Sequence, residues 1–474
     1  MSAIGLIGIL VAMVLFLVMV YKNCVSYWVA ILCAIIVALT NELDILNALF
    51  ALGGEQSSFL QGMVDLLPTM FKVVFMGAII GKLYTDSGAV TSIANALIRA
   101  FVEKRQGPSK ITAAVIVIAV LNCLLTLGGI DGYVLTFTMV PICLAVCQQC
   151  NIPRRFIGGF MTLNCAFMVF PGSPQIYNVM GVTGAQAFAG GAGLNPDELG
   201  ISSTMGMIPG VVASIIIAVL SVITMIIVSK RAVARGETFE AGTVEMPPVR
   251  EGRTPHVILC ILPLIVVFVL YSIVKLDVFW ALLAGMILAA ILFLPFLPKQ
   301  DVRGNQITLL GSLRETFNHG ANQYPNALMS VITPAGLAAV VTSTATFGAI
   351  IGMLSGLPIN PIILAVIMTL IIVALTSSPP ATLMIVIPAV LGVAMQQFAG
   401  DITAFSVPAI ARTSIIAAST LETLPFNGLI VLTLGLTHCT HKQSYKYMFL
   451  NTVVYTTVGT IVAAVLFILF PGLG

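Results

Sequence analysis

The chain has 474 residues, of which 59% are hydrophobic and 8% are charged, and its formal net charge is +3. Typical soluble domains carry about 25% charged residues, so this composition excludes a soluble globular protein. The small net charge gives no reason to expect a nucleic-acid partner, because the basic residues follow the loops between apolar runs.

Apolar runs recur along the chain, and about 20 such residues are enough to cross the core of a bilayer. These runs lie at 3–21, 24–40, 64–83, 205–228, 256–274, 278–297, 324–352 and 448–470. Stretches of mixed polarity that suit helices at the membrane interface lie at 43–62, 88–103 and 305–322. The sequence therefore predicts an all-α polytopic membrane protein.

Four further apolar runs are interrupted by short polar clusters. The runs lie at 110–150, 155–190, 360–397 and 405–437. We call their clusters the first tip (126–132), the first break (170–175), the second tip (376–382) and the second break (422–428). Unwound backbone at membrane depth is tolerated only where it is buried in protein or lines a cavity. Matched interruptions of this kind indicate a transporter binding site.

The basic residues predict the orientation, because Lys and Arg concentrate in cytoplasmic loops. One assignment of the loops to the two sides of the membrane places all but three of the 21 Lys and Arg on the cytoplasmic side. Lys275 then lies in an outside loop, and Lys72 and Arg412 lie inside spans. Both termini then lie outside. Under this constraint 110–150 enters and leaves from the cytoplasm, and 360–397 enters and leaves from outside, so each is a re-entrant hairpin.

The two halves follow the same plan. Each has two helices, an interfacial segment, a third helix, a hairpin, a broken helix and a last helix. Residues 77–81 match residues 348–352, since both read Gly-Ala-Ile-Ile-Gly. We therefore expect two inverted-topology repeats, 1–230 and 256–474, each with a re-entrant helical hairpin and a discontinuous transmembrane helix. A solvated cytoplasmic linker at 231–255 joins them.

The clusters have the composition of a site for a small hydroxylated anion. Helix N-termini at a break carry partial positive charge and bind carboxylates, and glycines allow a ligand to approach the backbone closely. Hydroxyl and amide side chains supply further hydrogen bonds. The candidate substrate ligands are Gly128, Gly129, Ser173, Gln175, Asn178, Ser377, Ser378, Thr423, Asn427 and Gly428.

Four ionisable residues stand at membrane depth, where such groups are costly and are functional candidates by default: Lys72, Asp131, Arg412 and Glu422. Asp131 and Glu422 are candidates for the coupling ion, because burial favours a protonated carboxyl group. Arg412 and Lys72 are candidates for attracting the substrate carboxylate. The alternative for each residue is a structural ion pair, in which Lys72 or Arg412 neutralises one of the carboxylates.

Enzymatic and metal chemistry lack a sequence basis. No Walker motif, GxSxG motif or nucleotide-binding fingerprint occurs, and the CxxC at 147–150 has neither a second pair nor a nearby His. The four histidines, at 256, 319, 438 and 441, fall near predicted cytoplasmic ends, where solvated positions are expected. The sequence thus predicts a non-enzyme without a cofactor or metal.

Two stretches resemble the gluconate permease family of bacterial symporters, which belongs to the ion transporter superfamily. They are 422–446, with Glu-Thr-Leu-Pro-Phe-Asn-Gly at its start and Thr-His-Lys-Gln-Ser-Tyr-Lys at its end, and 171–175 with Asn178. Phe426 stands where many members have His, so the chain resembles a divergent member. The resemblance implies proton-coupled uptake of gluconate-like sugar acids or short hydroxy acids by an elevator-like homodimer in the bacterial cytoplasmic membrane.

The predicted function is therefore a proton-coupled symporter of small organic anions that works by alternating access. Two alternatives stay open. A sodium-coupled carboxylate or dicarboxylate symporter would use unwound carbonyl groups as sodium ligands. An anion channel would need a continuous polar pore, often with charged rings.

Overall fold

The computed structural model describes residues 3–22, 24, 26–53, 57–130, 132–240, 242, 253–300, 306–355, 359–376, 378–425 and 427–473. Nearly all of these residues are helical, and the β-type pairing among them is one isolated bridge between Gln300 and Gln306. The predicted all-α class is therefore confirmed. Asp131, Ser377 and part of the predicted linker lie outside the described residues.

The first half begins with two long apolar helices and ends with another. Its helices are α1 (Ala3–Tyr21), α2 (Ser26–Thr40), α3 (Ile45–Phe50), α4 (Phe59–Met70), α5 (Met76–Ser87), α6 (Ala89–Phe101), α7 (Pro108–Leu127), α8 (Gly132–Gln149), α9 (Ile157–Met161), α10 (Cys165–Met168), α11 (Ile176–Gly191) and α12 (Met207–Ala234). A π-helical turn, Phe71–Phe75, joins α4 to α5.

The second half contains a helix of 34 residues, Leu309–Thr342, among shorter ones. Its helices are α13 (Val257–Phe268), α14 (Val278–Phe293), α15 (Leu309–Thr342), α16 (Ala345–Ser355), α17 (Pro361–Thr376), α18 (Pro379–Gln397), α19 (Val407–Ala418), α20 (Gly428–Thr437), α21 (His441–Phe449) and α22 (Tyr455–Leu469). Further π-helical turns follow α13 and α21, at Val269–Ile273 and Leu450–Val454.

Several helical stretches are long and apolar enough to cross a membrane. In the part of the chain that the structure describes, five qualify: Pro108–Leu127, Met207–Ala234, Val278–Phe296, Pro379–Gln397 and His441–Leu469. The α4–α5 pair is a sixth if it is one span, with a bend of 47°. Pro68 and the π-helical turn lie at this bend and account for it. The chain is an integral membrane protein.

The predicted third helix of the second half, at 324–352, is wrong, as is the separate interfacial segment at 305–322. α15 runs without a break from Leu309 to Thr342 and is capped by Thr308, whose hydroxyl accepts a hydrogen bond from Gly311 N at 3.1 Å. Residues 348–352 therefore lie in α16, whereas residues 77–81 lie in α5. The two similar glycine-containing segments do not occupy equivalent helices.

Each predicted hairpin segment contains two helices that pack on each other, and the predicted tip lies between the end of one helix and the start of the next. α7 packs on α8, and α17 packs on α18. At the end of the first pair away from its tip, Lys110 Nζ donates a hydrogen bond to Gln149 O at 3.0 Å. This contact joins the start of α7 to the end of α8, so the segment turns back on itself.

The two halves contact each other through several pairs of helices. α8 packs on α20 and α18 packs on α11, so the second arm of each hairpin contacts the broken helix of the other half. In the same way, α2 packs on α15 and α14 packs on α5. The last helices, α12 and α22, pack on each other. The tips and breaks consequently lie where the two halves interlock.

Candidate functional site

The first tip is a tight glycine turn at the end of α7. Gly129 has φ +84°, in the left-handed region that favours glycine, and Ile130 N donates back to Leu125 O at 3.1 Å. A methyl group on Gly128 would lie 2.2 Å from Leu264 Cδ2 of α13. The predicted ligands Gly128 and Gly129 thus form the turn itself, and the turn packs closely against α13.

Gln175 joins the first tip to the first break. Its Nε2 donates to Thr126 O at 2.7 Å and to Ile130 O at 3.1 Å. These are carbonyl groups released from helical pairing at the end of α7. Since Gln175 is only 2% exposed, its amide group is committed to holding the two unwound segments together.

Two hydroxyl groups at this junction are buried without a partner. Ser173 Oγ and Thr126 Oγ1 make no hydrogen bond within the described residues, and both side chains have 0% exposure. Leaving a buried polar group unsatisfied costs about 1–3 kcal/mol. α11 begins just after Ser173, at Ile176, without a side-chain cap. The junction therefore offers two hydroxyls and one uncapped helix N-terminus to a small polar ligand.

Asn178 and Arg412 form a hydrogen bond next to the first break. Arg412 is fully buried, and its Nη1 donates to Asn178 Oδ1 at 2.5 Å. Asn178 Nδ2 in turn donates to Met168 O at 3.0 Å and to Phe170 O at 3.1 Å. Both predicted site residues therefore bond to the protein itself, and Arg412 makes no ion pair among the described residues.

A tyrosine–glutamate contact joins the two breaks. The Tyr177 hydroxyl, at the start of α11, donates to Glu422 Oε2. Tyr177 is buried, whereas Glu422 is partly exposed. This contact places the predicted coupling-ion residue Glu422 beside the N-terminus of α11, close to the first break.

The hydroxyl and amide side chains of the second break bond within the protein. Thr423 Oγ1 donates to Thr452 Oγ1 at 2.5 Å. Asn427 caps α20, because its Oδ1 accepts from Leu429 N at 2.8 Å and from Ile430 N at 3.4 Å. Gly428 is the first residue of α20. The predicted ligands Thr423 and Asn427 therefore have structural bonds of their own.

α21 covers the carbonyl groups of the second break. His441 Nε2 lies 2.7 Å from Pro425 O, and the Tyr445 hydroxyl donates to Thr423 O at 3.0 Å. Thr440 and Gln443 form a capping box that fixes the start of α21. His441 was expected in a solvated position; its side chain is partly exposed, and its ring also contacts this break.

The second tip differs from the first in its backbone donors. Ser378 is the N-cap of α18, and Pro379 and Pro380 open the helix. Proline has no N–H group, so this N-terminus has fewer free donors than that of α11. The first arm of the hairpin, α17, contacts the Leu421–Thr423 turn of the second break. The predicted ligand Ser377 lies outside the described residues.

The first tip also reaches the second break. A methyl group on Gly132, the first residue of α8, would lie 2.8 Å from Met168 Cε and 3.7 Å from Leu429 Cδ2 of α20. The N-termini of α8 and α20 are therefore close to each other. Together with the bonds of Gln175 and Tyr177, this approach brings the first tip and both breaks into one continuous region.

Lys72 does not join this region. It lies in the π-helical turn after α4, and its Nζ is 3.1 Å from Asp277 Oδ2 at the start of α14. The two side chains are 40% and 48% exposed. Lys72 therefore forms an ion pair, which is one of its two predicted roles. Its partner is Asp277 and not Asp131 or Glu422.

Three residues that form hydrogen bonds in this region were not predicted from the sequence. Tyr177 lies between the predicted ligands Gln175 and Asn178, but an aromatic residue in an apolar run carries no signal of its own. His441 and Tyr445 lie in the stretch 422–446 that resembles gluconate permeases, and this resemblance is the sequence signal that could have identified them. A cluster of three or more His, Cys, Asp or Glu suited to a metal ion is absent from the described residues.

The apolar helices define an integral membrane protein, and the similarity to a protein named as a transporter makes a membrane transporter the class of this chain. No protein-family model matches the chain. It is 23% identical over 494 residues to the uncharacterized transporter YxjC of Bacillus subtilis (strain 168), covering 95% of this chain and 96% of that protein. This similarity supports a transporter rather than an enzyme, without selecting the gluconate permease family.

A solved structure matches over most of the chain as well. The YdaH transporter of Alcanivorax borkumensis, described as having an unusual topology, covers 94% of this chain and 97% of its own at 11% identity, with a TM-score of 0.45.

Proposed function

We propose that this protein is a proton-coupled symporter of small hydroxylated organic anions, such as gluconate-like sugar acids or short hydroxy acids. The observation that carries the proposal is the meeting of the first tip, the first break and the second break in one region built by both halves. Unwound backbone at membrane depth is tolerated where it is buried in protein or lines a cavity, and in transporters matched interruptions of this kind mark the solute site.

The reciprocal contacts support two inverted repeats. If 1–230 and 256–474 are related by a two-fold axis in the membrane plane, the α8–α20 and α18–α11 contacts are equivalent, and so are α2–α15 and α14–α5. The basic residues favour both termini outside and the linker in the cytoplasm. The resemblance places this arrangement in the bacterial cytoplasmic membrane.

Substrate binding is proposed to begin at the first break. The carboxylate of the anion would face the N-terminus of α11, and substrate hydroxyls would bond to Ser173 Oγ and Thr126 Oγ1, which lack partners in the described structure. On the opposite side, the amide of Asn427 would contact the far end of the substrate, and Ser377 and Ser378 stay candidates from the sequence. Arg412 bonds to Asn178 and to backbone carbonyl groups, so its donors are already used by the protein. A second substrate carboxylate would therefore have to displace these bonds to pair with it, which favours a monoanion over a dicarboxylate.

Glu422 is the proposed proton-binding residue, with Asp131 as the other candidate. A negative Glu422 beside the first break repels an anionic substrate, and protonation removes that repulsion. Binding of the proton and binding of the anion then favour each other, which is the thermodynamic basis of symport. Tyr177 holds the Glu422 side chain in place in either state.

Proton coupling is favoured over sodium coupling by the state of the unwound carbonyl groups. Sodium would need several of them as ligands. Thr126 O and Ile130 O accept from Gln175, Thr423 O accepts from Tyr445, and Pro425 O contacts His441. A sodium ion would have to share these carbonyl oxygens with the protein donors or displace them.

The helix packing suggests that one group of helices stays fixed and another moves during alternating access. One apolar core is formed by α1, α2, α3 and part of α15. The two hairpins pack mainly with the broken helices and with α12 and α22. We propose that the first group is the scaffold of a homodimer and that the second group moves across the membrane with the substrate.

The test is uptake by purified protein in liposomes. Labelled gluconate, glycerate and lactate are offered with an imposed pH gradient, acid outside, and separately with a sodium gradient at constant pH. We expect saturable accumulation of at least one of these anions with the pH gradient alone, and exchange of labelled for unlabelled substrate. Uptake that requires sodium, or that neither saturates nor exchanges, would replace the proposal with the sodium-coupled carrier or the channel.

A further inference from the structure

We propose that Arg412 is a positioning residue that fixes the backbone of the first break, and that it does not bind the substrate. The inference rests on the proposed function, because the first break is there the start of the substrate site. It assigns a role to a buried cation that would otherwise be expected to attract the anion.

The guanidinium group of Arg412 bonds to three separate segments. Nε donates to Met205 O at 2.8 Å and Nη2 to Ser203 O at 3.1 Å, in the turn before α12. Nη1 donates to Val169 O at 3.3 Å and to Asn178 Oδ1 at 2.5 Å, on the two sides of the first break. One side chain from the second half thus ties both ends of the first break to the start of α12.

All four acceptors are neutral, and this suits a structural cation. Val169 follows the last turn of α10, where carbonyl groups have lost their helical partners and carry the partial negative charge of the helix end. Arginine has five N–H donors in a planar fork, and four of the hydrogen bonds they can make are formed here. A lysine ammonium offers three donors from a single atom and cannot reach acceptors spread over three segments.

The surroundings of Arg412 leave it no route to a solute. Its side chain has 0% exposure. A methyl group on Gly210 of α12 would lie 3.0 Å from Arg412 Cδ and 2.6 Å from Pro171 Cγ of the first break. The absence of a side chain at Gly210 therefore provides the space in which the arginine and the first break pack together.

The experiment measures the first break directly. Hydrogen–deuterium exchange of the purified full chain, without substrate, compares the wild type with Arg412→Lys and with Gly210→Ala, which keeps the arginine but crowds it. Peptides covering 169–178 should exchange at least about tenfold faster in both variants, because local opening of the break becomes easier. Peptides from α21 should be unchanged. Ser414→Ala is the matched control, since Ser414 is buried on the same helix and its hydroxyl has no partner among the described residues.

Transport by the same variants supplies the second measurement. Arg412→Lys keeps the positive charge, so a residue that only attracts anions would keep a near-normal KM. A positioning residue predicts a KM raised at least about tenfold in both Arg412→Lys and Gly210→Ala, with Ser414→Ala unchanged. If Arg412→Lys does not fold, the Gly210→Ala comparison decides alone.

The two proposals fail in different ways. Exchange at 169–178 that stays at the wild-type rate in the folded variants would overturn the role of Arg412, whatever is transported. A wild type that transports none of the anions would overturn the proposed function, while faster exchange in the variants would still support the positioning of the first break by Arg412.

Discussion

The first break and the second break carry similar polar residues in different bonding states. At the first break, Ser173 Oγ and the nearby Thr126 Oγ1 are buried with no partner among the described residues. At the second break, Thr423 bonds to Thr452, Asn427 caps α20, and α21 covers the carbonyl groups through His441 and Tyr445. Polar groups in membrane helices serve structure as readily as function, so composition alone does not separate the two uses.

This difference suggests that the first break is prepared for a ligand and that the second break mainly holds the fold. Glu422 is the exception, because it belongs to the second break but reaches the first through Tyr177. Changes at the first break should therefore alter affinity, changes at the second should alter stability, and a change at Glu422 should alter coupling. The following predictions test that separation.

The largest effect is expected for Glu422→Gln, which imitates a permanently protonated carboxyl group. Accumulation driven by the pH gradient should fall more than about tenfold, because no proton is bound and released per cycle. Exchange of internal for external substrate should persist, since it needs no net proton movement. Tyr177→Phe is the comparison variant and should keep gradient-driven uptake with a smaller loss. Full accumulation by Glu422→Gln would remove the carboxylate from the coupling step.

Ser173→Ala should raise the KM for uptake about fivefold or more, because one hydrogen bond to the substrate is lost. Its melting temperature should stay at or slightly above that of the wild type, since the hydroxyl has no partner in the described structure. Ser221→Ala on α12 is a matched control with a buried, unpartnered hydroxyl remote from the breaks in sequence. An unchanged KM for Ser173→Ala would mean that this hydroxyl does not meet the substrate.

Asn427 separates capping from binding. Asn427→Ala should lower the unfolding free energy by about 1 kcal/mol, because the cap of α20 is lost, whereas Asn427→Ser should restore most of it. Thermal melting in detergent measures this difference. If the amide also contacts the substrate, both variants should lose uptake, including the stable serine variant. Normal uptake by Asn427→Ser would limit the residue to its capping role.

The smallest effect is expected for Tyr445→Phe, which removes the hydrogen bond to Thr423 O and keeps the ring. The unfolding free energy should fall by about 0.5–1.5 kcal/mol, with a KM within about twofold of wild type. Melting curves and uptake on the same preparation give both numbers. A large rise in KM without loss of stability would contradict the structural role of α21 and would make the two breaks functionally equal.

The sequence was sufficient to locate the interruptions, because glycine, proline and polar residues inside apolar runs have few explanations in a membrane. The tip at Gly128–Gly129 and the Asn427 break fall where the pattern predicts them. The sequence was not sufficient to identify the hydrogen-bond partners of the site residues. Three of the four acceptors of Arg412 are backbone carbonyl groups more than 200 residues away, and no residue type marks them. α15 was also divided wrongly, because Pro325 and Pro334 and its polar first turns imitate a boundary that tertiary packing overrides.

The bond between Arg412 and Val169 has a consequence for how the chain is made. The two residues are separated by 243 positions, so most of the second half must be synthesised before the guanidinium group can meet the exposed carbonyls. Until then the oxygens of Val169 and Met205 lack this donor, and an unsatisfied peptide oxygen in a membrane protein is costly. Biogenesis of this protein should therefore depend on a chaperone or insertase that shelters those oxygens until the carboxy-terminal portion arrives.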